Sequence, residues 1–292
     1  MIVVTGATGS IGGHLVRELR GRGAPLRALV RDEAKGRALG CDFAVGDFGD
    51  PGSLAAALDG ADRLFLNGPG AVPAEGGQPM VGLLKNAIDA AREAGVSHVV
   101  KISVLGARRG GRLAQGAHWE LDRYLEESGL AWSVLQPSGF MQNYLGPGAF
   151  GPDGRLIGSY GEAPVAHIDA RDIAACAAVL LTQPRERNET FVLTGPEALT
   201  DAQVADKISK ALGRPVGLLA LPADELAAAV KAQGAPAAFA EDLAALVRDV
   251  AAGAQSGTTT TVQDLTGRPA RTFDDFLADN LPALRAAAGT AS

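Results

Sequence analysis

The run from Met1 to His14 constrains the fold of this chain more than any other stretch. Ile2 to Thr5 are apolar or β-branched, the composition of a strand buried on both faces. Gly6, Gly9 and Gly12 follow, and then Leu15, Val16 and Leu19 recur at helical spacing. Strand, glycine turn and helix in that order form a phosphate cradle. Glycine lets the backbone turn sharply and approach a pyrophosphate, whose charge meets free N–H groups at the positive end of the helix. The spacing is Gly-x-x-Gly-x-x-Gly, one residue longer between the first two glycines than the common dinucleotide fingerprint. The strand–helix context makes this a nucleotide-binding element rather than a bare turn.

The rest of the chain repeats the alternation. Strands are expected at 26–30, 43–47, 63–66, 98–104 and 132–135, with helices between them starting near Asp50-Pro51, Pro79 and Ala117. This is the α/β pattern of a doubly wound parallel sheet, a Rossmann fold. After Pro137 the pattern changes to a glycine- and proline-rich stretch reaching about Pro164. A helix over 173–181, capped by Asp169 with Asp172 in its first turn, and a strand over 190–193 follow. Thr200 to Gln203 reads as a capping box, residues 223–252 as two alanine-rich helices, Thr258 to Thr261 as a linker, and Thr272 opens the final helix. The expected division is a nucleotide-binding core over 1–137 and a smaller C-terminal α/β lobe over 138–292, with segments around 166–194 returning to the core.

Within that frame the ends of the strands carry the candidate ligand contacts. Arg31 follows the second strand, with Asp32, Lys35 and Arg37 close behind. An acid here suits the ribose hydroxyls of NAD, whereas a cation suits the 2′-phosphate of NADP; Arg31 and Lys35 favour NADP(H), and Asp32 keeps NAD(H) as the competing reading. Asp47 ends the third strand and can meet the adenine amine. Asn67 and Gly68 open a loop able to lie against the cofactor, and Ser103 ends the fifth strand on the nicotinamide side. Phe140, Met141, Asn143 and Tyr144 are candidate walls of a substrate pocket.

Bulk properties exclude several classes. A net charge of −6 without a basic block disfavours nucleic acid or an anionic membrane as partner. Cys41 and Cys176 and the four histidines form no metal-ligand spacing, so no metal is expected. The longest apolar stretch, 173–181, is too short to span a bilayer. A cytoplasmic protein acting on a small molecule, as monomer or homodimer, is the resulting expectation.

These segments resemble the NmrA-like branch of the atypical short-chain dehydrogenases, the group that includes type 2 quinone oxidoreductases. Thr5-Gly-Ala-Thr-Gly-Ser-Ile-Gly12 is similar to its cofactor motif, Val30-Arg-Asp32 to its second strand, and Gly46-Asp47 to its adenine side. Pro137 to Asn143, Ile168 to Ala174 and Leu193 to Glu197 are similar to later landmarks of the branch. The resemblance implies a core binding NADP(H) through Gly6, Thr8, Gly9, Ser10, Ile11 and Gly12, and a C-terminal lobe closing a substrate cleft. It also implies two possible activities: reduction of quinones, imines or enones, or redox sensing without turnover through protein contacts.

The wider dehydrogenase group uses a Tyr-x-x-x-Lys pair, which this chain lacks: the residues four beyond Tyr124, Tyr144 and Tyr160 are Ser128, Gly148 and Pro164. In its place stands His118-Trp-Glu-Leu-Asp122, whose two ends share a helix face. An acid there can orient the imidazole, whose ordinary pKa suits a proton donor. The resemblance supports this pair, because quinone reductases of the branch carry a His-x-x-x-acid pattern there. His118 and Asp122 are therefore the candidate catalytic residues of an NADPH-dependent oxidoreductase acting on an electrophilic acceptor.

Overall fold

A computed structural model describes residues 1–70, 78–183 and 188–289. They pack as two compact units: residues 1–137 with 170–192, and residues 138–169 with 193–292.

The first unit is built on β1 (Ile2–Val4), α1 (Ser10–Gly21), β2 (Leu26–Val30), α2 (Glu33–Ala38), β3 (Asp42–Val45), α3 (Pro51–Leu58) and β4 (Arg63–Leu66). It continues through α4 (Pro79–Glu93), β5 (His98–Ile102), α5 (Ala114–Glu126) and β6 (Ala131–Pro137). The strands form one seven-stranded sheet in the order β3-β2-β1-β4-β5-β6-β8, where β8 is Glu189–Leu193. Every pairing from β3 across to β6 is parallel. This is the expected doubly wound α/β sheet, and its order reverses between β1 and β4, where such sheets bind ligands at the carboxyl ends of the strands.

Period-two alternation decides which side chains meet which helices. Leu64 and Leu66 of β4 and Val99 of β5 join the core formed with α3, α4 and α5, among them Leu54, Leu84, Ile88, Leu121 and Leu125. Lys101 and Ser103 follow Val99 at the same parity and so project toward the α5 side. Helix α6 (Ala170–Thr182) packs on α1, and nearly its whole length is buried, which its alanines permit. Short caps fix the helix starts: Asp50 accepts from Gly52 and Ser53 N–H at the head of α3, and Pro51 stands in the first turn.

The second unit holds a single turn of 3₁₀ helix over Met141–Leu145, and β7 (Leu156–Gly158) paired in parallel with β9 (Leu218–Ala220). It adds α7 (Asp201–Leu212), α8 (Ala223–Ala232), α9 (Ala237–Ala251), α10 (Thr261–Thr266), α11 (Phe273–Asp279) and α12 (Leu281–Ala287). Its core gathers Met141, Tyr144, Leu156, Val204, Ile208, Phe273 and Phe276. Within the stretch 138–164, expected to be irregular, the structure holds both the 3₁₀ turn and β7, each too short for periodicity to show. In the stretch 258–261, expected to be linker, α10 begins at Thr261, and the expected single final helix is divided by Asn280 and Pro282 into α11 and α12. Among the described residues no helix is long and apolar enough to cross a membrane, and no cluster of His, Cys, Asp or Glu could hold a metal ion.

Candidate active site

At the crossover of the sheet lies a cavity of about 320 Å³, lined by the ends of β1 to β4 and the turns that follow them. Thr5 locks two of those ends together. Its hydroxyl lies 3.0 Å from the carbonyls of both Phe65 and Asn67, which share its single hydrogen, and accepts from Asn67 N–H at 2.8 Å. Gly6 takes φ +61°, and a Cβ there would stand 2.9 Å from Asn67 O. Gly12 is excluded from any side chain because a Cβ would fall 2.1 Å from Gly6 O. The glycines thus fold the turn back onto α1, whose first turn carries no acid and whose N-cap, Gly9, offers no side chain. Its free N–H groups and dipole are left for an anion.

Of the expected cofactor contacts, Gly6, Thr8, Gly9, Arg31, Asp47, Asn67 and Gly68 line this cavity. Ser10 is exposed at the start of α1, whereas the Ile11 side chain is buried in the core and Gly12 serves the close packing just described. Ser103 does not line the cavity: buried, it donates to Asp122 Oδ2 at 2.7 Å. Sequence reasoning missed the apolar walls, Leu29, Val30, Phe48, Pro69 and Leu83, which suit a flat ring.

The charges after β2 sort themselves by local geometry. Asp32 is the N-cap of α2, its Oδ1 accepting from Ala34 N–H at 2.8 Å and Lys35 N–H at 3.2 Å. Arg37 is paired with Glu33 one turn back, at 2.7 Å. Arg31 and Lys35 are both exposed, and neither side chain has a hydrogen bond or ion pair among the described residues. Asp47 turns one oxygen back to Gly49 N–H at 2.8 Å, which holds the turn after β3 against the cavity.

A second polar group stands one strand further along, at the carboxyl end of β5. Helix α5 begins at Ala114, three residues earlier than expected, so His118 lies in its second turn with Asp122 one turn on. The side chain of Lys101 is fully buried and its Nζ lies 2.8 Å from Asp122 Oδ1, 3.1 Å from His118 Nδ1 and 3.1 Å from Ile102 O. Ser103 completes the network through Asp122. Burial lowers the Lys101 pKa, opposed by Asp122. Burial, and then the Lys101 charge, push His118 down to about 3. The expected orientation of the imidazole by Asp122 is therefore corrected: the ring nitrogen faces Lys101, Asp122 holds that lysine, and burial keeps the His118 pKa below its ordinary value. Lys101 was missed because sequence gives its charge but not its tertiary partner; a lone lysine within His98-Val-Val-Lys-Ile102 was the available signal.

In the second unit, Met141 and Tyr144 are core residues. The Tyr144 ring meets Phe273 edge-on at 5.3 Å, and its hydroxyl lies 3.1 Å from His167 Nε2. Both side chains anchor their own unit instead of offering a free wall. Phe140 is half-buried and Asn143 exposed.

Fold and site define a dinucleotide-type binding protein of the doubly wound class. Residues 1–268 match the NmrA-like family, and the chain belongs to it. It is 39% identical to an NAD(P)H azoreductase of Xenophilus azovorans, over 98% of this chain and 100% of that protein. It is 34% identical to a (4-alkanoyl-5-oxo-2,5-dihydrofuran-3-yl)methyl phosphate reductase of Streptomyces griseus, over 97% and 99% of the two chains. Among solved structures, the NADPH-dependent quinone oxidoreductase of Escherichia coli complexed with NADPH superposes with a TM-score of 0.82 at 29% identity, covering 96% of this chain and 100% of that one.

Proposed function

We propose that this protein is an NADP(H)-dependent reductase that passes hydride to an electrophilic small molecule such as a quinone, an azo compound, an iminium ion or an enone. The observation that carries the cofactor reading is the cavity at the strand crossover, with an uncapped helix N-terminus on one side and the uncommitted Arg31 on the other. The helix suits a diphosphate and Arg31 with Lys35 a 2′-phosphate, while Asp32, already capping α2, is poorly placed for a ribose hydroxyl. Leu29, Val30 and Phe48 suit the adenine, with Asp47 beside them. When bound, the reduced nicotinamide supplies the hydride.

The acceptor class follows from what the polar network can and cannot do. Among the described residues no tyrosine hydroxyl is hydrogen-bonded to a lysine: the Tyr124 hydroxyl donates to Asp89 at 2.9 Å while Lys85 lies over its ring, and the buried Lys101 faces His118. Plain ketones need strong acid assistance, whereas conjugated acceptors spread the charge that arrives with the hydride. The azo, dihydrofuranone and quinone groups in the names of the relatives are all conjugated electrophiles.

The test is oxidation of NADPH and, in parallel, NADH across quinones, azo dyes, cyclic imines, enones and simple ketones. Turnover of a conjugated class with NADPH preferred, and a loss of kcat in His118→Ala, is the expected result. Tight NADPH binding with silence across the panel would replace this reading by that of a redox sensor; wild-type rates in His118→Ala would remove the histidine from the reaction.

A further inference from the structure

We infer that Lys101 is a positioning residue that fixes His118 in a single uncharged tautomer, with Nδ1 bare and Nε2 carrying the proton, so that the site presents a hydrogen-bond donor and not a proton donor. A lysine ammonium has three hydrogens and no lone pair. Lys101 directs all three at acceptors: Asp122 Oδ1, Ile102 O and His118 Nδ1. The imidazole nitrogen facing it must then accept, which leaves the ring proton on Nε2. That nitrogen makes no hydrogen bond among the described residues, and the His118 side chain is only half-buried, so the N–H is left for a ligand.

The charged groups around His118 support this assignment. From β5 it meets Lys101, and on its own helix Asp122 is engaged by Lys101 and by Ser103. On α4, Lys85 is turned to Glu120 at 2.6 Å, and Asp89 accepts from the Tyr124 hydroxyl and pairs with Arg92. Nothing in this unit's described residues places a carboxylate on the imidazole to favour its cation. The alternative arrangement, a neutral amine on Lys101 accepting from an Nδ1–H, would remove the ammonium from Asp122 inside a buried site.

The consequence for the acceptor rests on the reductase reading. An imidazole that stays neutral polarises a carbonyl oxygen or an azo nitrogen through Nε2–H but does not protonate it during hydride transfer. A neutral acceptor takes two electrons and one hydrogen as hydride and leaves the step as an anion, whose second hydrogen comes from water as a proton; an iminium cation leaves it as a neutral amine. The site therefore selects acceptors whose reduced anion is stable, such as the hydroquinone monoanion, over those that would leave an alkoxide. The rate should accordingly lack the limb near pH 6.5 that a titrating histidine would give.

The decisive experiment is nitrogen-detected NMR of the ring nitrogens in protein labelled with ¹⁵N-histidine, with no cofactor or acceptor present. The expected spectrum at neutral pH has His118 Nδ1 unprotonated and Nε2 protonated, and this pattern does not titrate down to about pH 5. In Lys101→Met/Asp122→Asn, which removes opposite charges together, the two tautomers should mix and the His118 titration should rise above about 3 by the part the Lys101 charge contributes, while burial still holds it below the ordinary value. A proton on Nδ1 in the wild type, or titration near pH 6.5, overturns the inference, as does a double variant with an unchanged spectrum. Should that variant fail to fold, the wild-type tautomer still decides. The measurement needs no turnover, so a silent acceptor panel leaves it standing, and a wrong tautomer leaves any observed turnover standing.

Discussion

Replacing Arg31 by alanine should separate the two dinucleotides. Arg31 stands at the carboxyl end of β2 on the cavity wall, exposed and without a side-chain partner among the described residues. Removing it breaks no ion pair, and the loss should register in binding alone. A hydrogen bond to a charged group contributes about 1.5–3 kcal/mol. Solvent screening at an exposed site favours the lower figure. About 1.4 kcal/mol corresponds to a tenfold change in Kd. The expected result is NADPH binding weakened about tenfold, NADH binding changed less than about twofold, and a loss that shrinks as salt is raised. Lys35→Ala should add a smaller step in the same direction, since Lys35 lies one turn further on and does not line the cavity. Titration of intrinsic or nicotinamide fluorescence with each dinucleotide at two ionic strengths measures all of this. Equal weakening of NADPH and NADH would refute the 2′-phosphate assignment and leave Arg31 a role in covering the adenine through its aliphatic stem.

Two further outcomes test the scaffold. Gly12→Ala puts a methyl 2.1 Å from Gly6 O and 2.8 Å from Ala7 Cα, whereas Gly13→Ala meets nothing nearer than 3.7 Å. By urea denaturation the first should cost about 3 kcal/mol or more, and the second should be neutral or stabilising by up to about 1 kcal/mol; similar stabilities for the two would mean that the turn is not packed as described. Stability should also fall with acid. His118 and His167 have pKa values lowered in the folded state to about 3 and about 4. Both titrate near 6.5 when unfolded, so below that pH the unfolded chain takes up protons that the native state refuses. Their contribution is complete above about pH 6.5 and is lost as pH falls toward 4, with a combined slope of up to about 3 kcal/mol per pH unit. Urea midpoints measured between pH 7 and pH 4.5 check this, and a flat profile would contradict the burial of both rings as neutral groups.

The sheet was legible because its signals are local. A β-branched run, three glycines and a helical repeat in the first residues fix one strand–turn–helix unit, and the same alternation repeats to Pro137. The rule for strand ends directs attention to Arg31, Asp47, Asn67 and Gly68, and all four line the cavity. What sequence could not supply was commitment. Asp32, Arg31, Lys35 and Arg37 look interchangeable as a string of charges, and only the cap on α2 and the Glu33 pair show which remain available. The network around His118 joins β5 to α5, a tertiary relation, and α5 starts early behind Leu113 at φ +47°, a cap with no side-chain signal. Met141 and Tyr144 read as pocket walls because apolar and aromatic residues in an irregular stretch look alike whether they face a ligand or a core.

The bare head of α1 ties ligand binding to folding. Four of the described helices carry their own cap: Asp32, Asp50, Thr200 and Thr272 each close the helix that follows with a side-chain oxygen. The helix that follows β1 does not, and only water can satisfy its first N–H groups until an anion arrives. A dinucleotide diphosphate would then act as the missing capping residue, shared between solution and chain. The first turn should be among the least protected parts of the core when the protein is empty and tighten when it is loaded. Dinucleotide supply would thereby set the lifetime of the folded protein as well as its activity.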